Sequence, residues 1–159
     1  IGKTEGHIDQ SILARVILDE KNGPPPEINL FNEKNNGEIL LKLIDKNLIQ
    51  SSHDVSIGGI LIAITKMCIK GNLGIKISPI KNLINKFEYF FGEDQGRYVI
   101  EIKKEHKKEI VNLLNENSIH YDELGILIAN DLIIDNLTKI RVDELSNIYK
   151  EWLIKYMDS

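Results

Sequence analysis

The chain has 159 residues, of which 42% are hydrophobic and 28% are charged, and its formal net charge at pH 7 is −4. This composition excludes a disordered, collagen-like or membrane-spanning chain, and an acidic balance without a basic stripe argues against a nucleic-acid-binding domain. The single cysteine, Cys68, cannot form an internal disulfide, which favours a reducing, cytoplasmic location.

Two helices are predicted in the first third of the chain. Residues 9–18 space their apolar side chains as in a short amphipathic helix, which Gly23 and the prolines at 24–26 end. A longer helix is predicted from Asn29, which is its cap, to Leu48. Its core face is expected to consist of Leu40, Leu43, Ile44 and Leu48, with Ile39 and Leu41 at the edges.

The middle of the chain alternates strands and helices. Residues 51–55 favour a strand, and residues 60–70 are apolar on nearly every face, which is typical of a helix buried between layers. A strand over 73–78 and a short helix, opened by Pro79 and ending near Phe90, are expected next.

The second half continues the alternation. Residues 97–103 alternate as a half-buried strand, with one face formed by Tyr98, Ile100 and Ile102 and the other by Arg97, Val99, Glu101 and Lys103. Residues 104–117 predict a helix whose inward side chains are Ile110, Val111, Leu113 and Leu114. Short strands are expected at 119–121, 124–129, 131–135 and 138–142.

A final helix is predicted from Asp143. Its large side chains fall on one stripe, expected to belong to the core: Leu145, Ile148, Tyr149, Trp152, Leu153 and Tyr156.

These elements predict an α+β (mixed α/β) fold, arranged as three α/β/α layers around a mixed sheet. The sheet is expected to be mixed because short turns join the last strands. The length predicts a single domain over residues 1–159. Because the first residue is Ile1 and not Met, we expect this domain to be a piece of a longer chain.

The turn at residues 56–59 is a candidate phosphate loop. A strand, a glycine pair and a helix start leave backbone N–H groups free for an anion, so Ser56, Gly58 and Gly59 are candidates to bind phosphate. The alternative is that Ser56 caps the helix and the glycines allow close packing. His53 and Asp54 are neighbours on a strand and are not expected to hydrogen-bond to each other. His53 is either a ligand contact or a structural histidine.

The loop at residues 92–97 is a second candidate site. Glu93, Asp94 and Gln95 lie between two glycines, and Arg97 follows. This pattern suits a substrate-contacting loop or an ordinary solvated connection. The other histidines do not have metal-ligand spacing, so neither a metal site nor a catalytic residue is assigned.

Together, these segments resemble the C-terminal domain of the aminoimidazole-ribonucleotide-synthetase-related superfamily. The resemblance is carried by HDVSIGG before an apolar helix, FFGEDQGRYVIEI, GKTEGHIDQSIL at the start and GPPPEINLFNEKNNGEIL. Within that superfamily, the pattern is especially similar to the last such domain of the formylglycinamidine ribonucleotide synthases.

The resemblance implies an ATP-dependent amidation of formylglycinamide ribonucleotide, with ammonia taken from glutamine, in purine biosynthesis. It implies that ATP and Mg²⁺ are used by the whole enzyme and that this domain alone binds neither and is inactive. The implied partners are the other domains of the same chain and a glutaminase, which is either fused or a separate subunit accompanied by a small accessory subunit. No nucleic acid or membrane is implied.

The resemblance also implies substrate-binding residues, namely Glu93, Asp94, Gln95, Arg97 and His53. Asp94 stands where the family commonly has a small hydroxyl residue, and Ile57 where it usually has an acidic one. A carboxylate at Asp94 would repel phosphate, so the substrate phosphate is expected elsewhere. Two hypotheses for its role stay open: the domain is a wall of the amidoligase active site, or it is a non-catalytic structural half of the enzyme. A further alternative is that the chain is the C-terminal domain of another ATP-dependent enzyme of the same superfamily.

Overall fold

The computed structural model describes residues 1–79, 85–135 and 137–157, without the side chains of residues 153 and 154. The helices and strands run in the order α1 (Leu30–Asp45), β1 (Ile49–Val55), α2 (Gly59–Gly71), β2 (Gly74–Ile77), α3 (Lys86–Phe91), β3 (Arg97–Ile102), α4 (Lys107–Glu116), β4 (Gly125–Ile128), β5 (Asp131–Ile134), β6 (Thr138–Arg141) and α5 (Val142–Met157). None of the helices within this part of the chain is long and apolar enough to cross a membrane.

The chain divides into two compact units. The first contains residues 1–64 and 82–122, and the second contains residues 65–81 and 123–159. The strands divide with them, because β1 and β3 form one sheet in the first unit and the other four strands form a separate sheet in the second. The prediction of one domain over the whole length stays a prediction.

In the first unit, β1 and β3 pair antiparallel, with His53 opposite Val99 and Val55 opposite Arg97. The start of the chain adds to the same ladder, because Ile1 and Tyr98 exchange two backbone hydrogen bonds of 3.0 Å. Helices α1 and α4 supply most of a hydrophobic cluster made of Ile39, Leu43, Leu48, Ile110, Leu114 and Ile119. The inward face predicted for α4 is therefore confirmed at its two most buried positions, Ile110 and Leu114.

In the second unit, four strands form a mixed sheet in the order β4-β2-β5-β6. Strands β2 and β5 run parallel, and the other two pairs are antiparallel. Ile75 and Ile77 lie opposite Leu132 and Ile134, and all four side chains are buried. The predicted α+β class with a mixed sheet is confirmed.

The start of α1 is as predicted, whereas its buried face is predicted only in part, with Leu43 buried as expected. The Asn32 N–H donates to the Asn29 side chain at 3.0 Å, which confirms the cap. The helix ends at Asp45, and its buried residues are Asn36, Ile39 and Leu43. A polar residue lies on this face because the Asn36 amide donates to the carbonyl of Gly96 at 2.9 Å. The apolar pattern therefore misplaced Ile44, which is exposed.

Two predictions about the ends of the first unit are wrong. Residues 9–18 do not form an amphipathic helix. They contain one π-helical turn, Leu13–Ile17, whose buried residue is Ala14, and the apolar side chains of Ile12, Val16 and Ile17 are exposed. Residues 119–121 do not form a strand, although the carbonyl of His120 accepts the Gly2 N–H at 2.8 Å.

The sequence predicted that β3 is half-buried, and the structure identifies its buried face. Arg97 and Val99 are its buried residues, whereas Tyr98 and Ile100 are only half-buried. Arg97 lies on the buried face because polar partners from residues 4, 92 and 94 surround its guanidinium, as described below.

The predicted core stripe of α5 is wrong where its side chains are described. Ile148, Tyr149, Trp152 and Tyr156 are exposed, with 56% of the Trp152 surface accessible. Leu145 is half-buried, and Leu153 lies outside the described side chains. Only the second part of the short helix predicted from Pro79 can be compared, namely α3, since residues 80–84 lie outside the described residues.

Candidate functional site

The turn at residues 56–59 and the loop at residues 92–97 lie together because Glu93 joins them. The Gly58 N–H donates to Glu93 Oε1 at 2.8 Å, and the Ile12 N–H donates to the same oxygen, also at 2.8 Å. The free amides at the start of α2 carry a partial positive charge, which stabilises a carboxylate at that position. The Gly58 amide of the candidate phosphate loop is therefore already paired with an anion that belongs to the protein.

The glycine pair allows the turn to approach the loop. Gly58 and Gly59 have φ values of +84° and +68°, which an L side chain rarely adopts. A Cβ atom on Gly59 would lie 2.5 Å from the carbonyl oxygen of Phe90 and 2.8 Å from that of Gly92. Ser56 is exposed, and its carbonyl accepts the Gly59 N–H at 3.0 Å. The packing role of the glycines is thus visible, and phosphate binding at Ser56, Gly58 and Gly59 stays a prediction.

Asp94 lies inside the protein, with 7% of its surface accessible. Its carboxylate accepts three consecutive backbone N–H groups: those of Glu5 and Gly6 at 3.1 Å and that of His7 at 3.0 Å. A carboxylate with three such donors is well satisfied without an external ligand. Gly6, with φ +81°, allows the backbone to curve around this carboxylate.

Arg97 is 2% accessible, and all three of its guanidinium nitrogens donate to protein atoms. Nε donates to the carbonyl of Asp94 at 3.1 Å, one terminal nitrogen donates to Thr4 Oγ1 at 3.2 Å, and the other donates to the carbonyl of Gly92 at 2.7 Å. That last nitrogen also lies 3.6 Å from Asp94 Oδ2. Burial lowers the pKa of the Arg97 guanidinium, and the Asp94 carboxylate opposes that shift.

Gln95 is the exposed residue between these anchored groups. Its side-chain nitrogen lies 3.5 Å from the carbonyl oxygen of Glu93, a distance at which a hydrogen bond is weak. Gln95 can therefore reorient toward a ligand without breaking a strong internal bond.

His53 is half-buried, and it contacts its neighbour in the chain. Its Nδ1 lies 2.6 Å from the carbonyl oxygen of Asp54 and 3.4 Å from the Asp54 carboxylate. The imidazole turns along the strand toward the next peptide group, so its hydrogen bond is to the Asp54 backbone carbonyl. The expectation that the two side chains do not form a dyad is not contradicted by this bond. The register of β1 places His53 opposite Val99, two residues along β3 from Arg97.

Besides Arg97, two titratable groups of the same unit have pKa values shifted by burial. Burial raises the pKa of the Tyr89 hydroxyl in α3 to about 12, and, in a polypeptide that begins with a free Ile1 amine, it lowers the pKa of that amino group to about 6. Within the described residues, no group of three or more His, Cys, Asp or Glu side chains is arranged to hold a metal ion.

The partners of the loop were missed by the sequence analysis. Thr4, the amides of residues 5–7 and the amide of Ile12 complete the cluster, and they lie more than 80 residues away along the chain. Gly6 was the available signal, since a glycine that follows polar residues often marks a curved backbone. Of the five predicted substrate-binding residues, Glu93, Asp94 and Arg97 are hydrogen-bonded to segments distant in the sequence, whereas the side-chain hydrogen bonds of His53 and Gln95 within the described residues are to near neighbours in the chain. A substrate role for any of the five stays a prediction.

Comparisons with known proteins place the chain in context. A family model described as AIR synthase related protein, C-terminal domain, matches residues 5–134. The subunit PurL of phosphoribosylformylglycinamidine synthase from Pelagibacter ubique is 59% identical over 159 residues, which is 100% of this chain and 22% of that protein. PurL from Bartonella quintana is 35% identical over 99% of this chain and 21% of that protein. The chain thus spans about a fifth of the length of these curated relatives.

Solved structures share the fold. Thermotoga maritima PurL complexed with FGAR has a TM-score of 0.65 and 21% identity, over 75% of this chain and 21% of that one. The T. maritima PurLQS structure has a TM-score of 0.65 and 20% identity, over 84% of this chain and 24% of that one.

Proposed function

The chain belongs to the family of AIR synthase related proteins, as a C-terminal domain, and on that premise we propose that it forms part of a phosphoribosylformylglycinamidine synthase. The observation that carries this proposal is the 59% identity to P. ubique PurL over all 159 residues. The 35% identity to B. quintana PurL over nearly the whole chain supports the same assignment.

The proposed reaction converts formylglycinamide ribonucleotide to the corresponding amidine. The amide oxygen attacks the γ-phosphorus of ATP, which releases ADP and leaves a phosphate ester on the amide carbon. Ammonia derived from glutamine then adds to that carbon, and the phosphate leaves with the bonding electron pair. T. maritima PurL has been solved in complex with FGAR and with ATP, which supports these two compounds as substrates.

Because this chain spans about a fifth of the length of its curated relatives, we propose that other domains of the longer chain bind ATP and Mg²⁺, and we expect residues 1–159 alone to be inactive. Among the described residues, no cluster of three or more His, Cys, Asp or Glu side chains is arranged to hold a metal ion. By the same proposal, the enzyme is cytoplasmic, and its partners are a glutaminase and a small accessory subunit, for which the T. maritima PurLQS assembly is the support.

Two roles for the domain within the enzyme are supported by different observations. Exposed Gln95 and half-buried His53 can reach a ligand, which favours a wall of the active site. The internal contacts of Glu93, Asp94 and Arg97 favour a non-catalytic structural half.

A chimeric enzyme tests the assignment. The matching segment of P. ubique PurL is replaced by residues 1–159, and ADP release is measured with formylglycinamide ribonucleotide and ammonium, which removes the need for the glutaminase. We expect turnover within about tenfold of the parent, a difference of about 1.4 kcal/mol in activation free energy. A folded but inactive chimera would contradict the proposal.

Substitutions in that chimera separate the two roles. Gln95→Ala and His53→Ala are each expected to lower kcat/KM by about tenfold or more if the domain is a wall of the active site. Unchanged kinetics in both variants would favour the structural half. Asp45→Ala, at the exposed end of α1, is the control.

A further inference from the structure

The loop at residues 92–97 contains a buried ion pair, and hydrogen bonds of both of its members reach the start of the chain. Asp94 and Arg97 face each other at 3.6 Å, and both are almost fully buried. Removing one member of such a pair leaves the other charge without compensation, so the pair persists only while its surroundings satisfy both groups. Here they do, through backbone amides, carbonyls and the Thr4 hydroxyl.

These contacts join segments that are distant in the sequence. Asp94 accepts amides that lie 87 to 89 residues earlier, and Arg97 reaches Thr4, 93 residues earlier. The connection also runs in the other direction, because the Glu93 N–H donates to the carbonyl of His7 at 2.9 Å. The segment at residues 4–7 and the loop are therefore held together by hydrogen bonds donated from both sides.

The same contacts immobilise the backbone on both sides of Gln95. Asp94 holds the preceding position, and the carbonyl of Gly96 accepts the Asn36 side-chain amide from α1 at 2.9 Å. The Gln95 side chain between them is exposed. Rigid support of an exposed polar side chain reduces the entropy that is lost when it binds a ligand.

We infer that Asp94 and Arg97 are positioning residues, which fasten the segment at residues 4–7 to the loop at residues 92–97 and so present Gln95 outward. Neither side chain contacts the substrate in this arrangement. The consequence for turnover rests on the proposed function, whereas the fastening itself does not.

Hydrogen exchange of the 159-residue chain tests the fastening. The substitution Asp94→Asn keeps the volume but lacks one acceptor oxygen and the charge, and Asp45→Asn is the same change at an exposed position. We expect the amides of residues 5–7 to exchange at least about tenfold faster in Asp94→Asn, while those of α4 are unchanged. Equal protection in Asp94→Asn and Asp45→Asn would overturn the inference.

A second variant keeps the test decisive if Asp94→Asn unfolds the whole chain. Thr4→Val preserves the shape of the side chain and removes one acceptor of Arg97. We expect it to increase exchange at residues 5–7 with α4 still protected. If Thr4→Val leaves the exchange at residues 5–7 unchanged, the fastening is refuted.

A double-mutant cycle in the chimeric enzyme tests the action through Gln95. If Asp94 acts by positioning Gln95, Asp94→Asn lowers kcat/KM in the presence of Gln95 and has little further effect after Gln95→Ala. Additive losses, or no loss from Gln95→Ala in an active chimera, would overturn the positioning role. An inactive parent chimera would count against the proposed function, and the exchange result would still decide the fastening.

Discussion

A methyl group added at Gly59 should disrupt the junction between the turn and the loop. Gly59 has φ +68°, and the new Cβ would lie 2.5 Å from the carbonyl oxygen of Phe90 and 2.8 Å from that of Gly92. These are backbone atoms, which cannot rotate away as the end of a side chain can. The left-handed conformation costs about 1–3 kcal/mol for an L residue, and overpacking costs about 1–3 kcal/mol more.

The expected loss for Gly59→Ala is therefore about 2–6 kcal/mol, a large part of the roughly 5–15 kcal/mol that stabilises a domain. Urea unfolding followed by far-ultraviolet circular dichroism measures it. With an m-value of about 2 kcal/mol per molar urea, the midpoint should fall by about 1 M or more.

Gly71, at the other end of the same helix, provides the matched control. No atom of the described residues lies within 4 Å of its added Cβ, so Gly71→Ala should be neutral or slightly stabilising, by up to about 1 kcal/mol. The reasoning fails if the free energy of unfolding of Gly59→Ala lies within about 0.5 kcal/mol of that of the parent chain, or if both variants lose the same stability.

Three further predictions concern stability. Leu43→Ala should cost about 2–5 kcal/mol, because Leu43 is 0% accessible in the core of the first unit. Exposed Leu41→Ala should cost less than about 0.5 kcal/mol in the same urea titration, and equal losses would place the core elsewhere. Glu93→Ala should cost about 1–3 kcal/mol, because two backbone N–H groups lose their acceptor. Glu93→Gln, which keeps an acceptor oxygen, should cost less. A larger loss of stability for Glu93→Gln than for Glu93→Ala would argue against a stabilising role of Glu93 as the acceptor of these two amides. In a polypeptide with a free Ile1 amine, burial lowers the pKa of that amine from 8.0 in the unfolded state to about 6 in the folded state. Between these pH values the unfolded state binds more protons, so the free energy of unfolding should rise as the pH rises from about 6 to about 8. Thermal unfolding from pH 5.5 to 8.5 measures this gain, and amino-terminal acetylation should abolish it.

The local elements could largely be predicted from the sequence because they depend on neighbouring residues. The Asn29 cap and the strand, glycine turn and helix at residues 49–71 follow from short-range patterns. The nearly all-apolar α2 is buried at Ile60, Ala63, Ile64 and Cys68, as its composition indicated.

The candidate site could be predicted only in part, because its partners are remote in the sequence. Alternation along β3 could not reveal that Arg97 is buried, since Thr4 and the amides of residues 5–7 are what allow it to be. An apolar stripe on a helix likewise indicates a face that is suited to burial, but it does not specify which segment covers that face. The stripe of α5 illustrates this, because its described large side chains are mostly exposed.

The exposed stripe of α5 has a practical consequence. Trp152 is the single tryptophan of the chain, its ring centroid lies 6.4 Å from that of Tyr156, and more than half of its surface is accessible. The tryptophan emission of the protein therefore reports on one side of one helix. A molecule that covers this helix should shift the emission to shorter wavelength and protect it from a soluble quencher. The fluorescence of Trp152 can therefore be used to detect binding at α5.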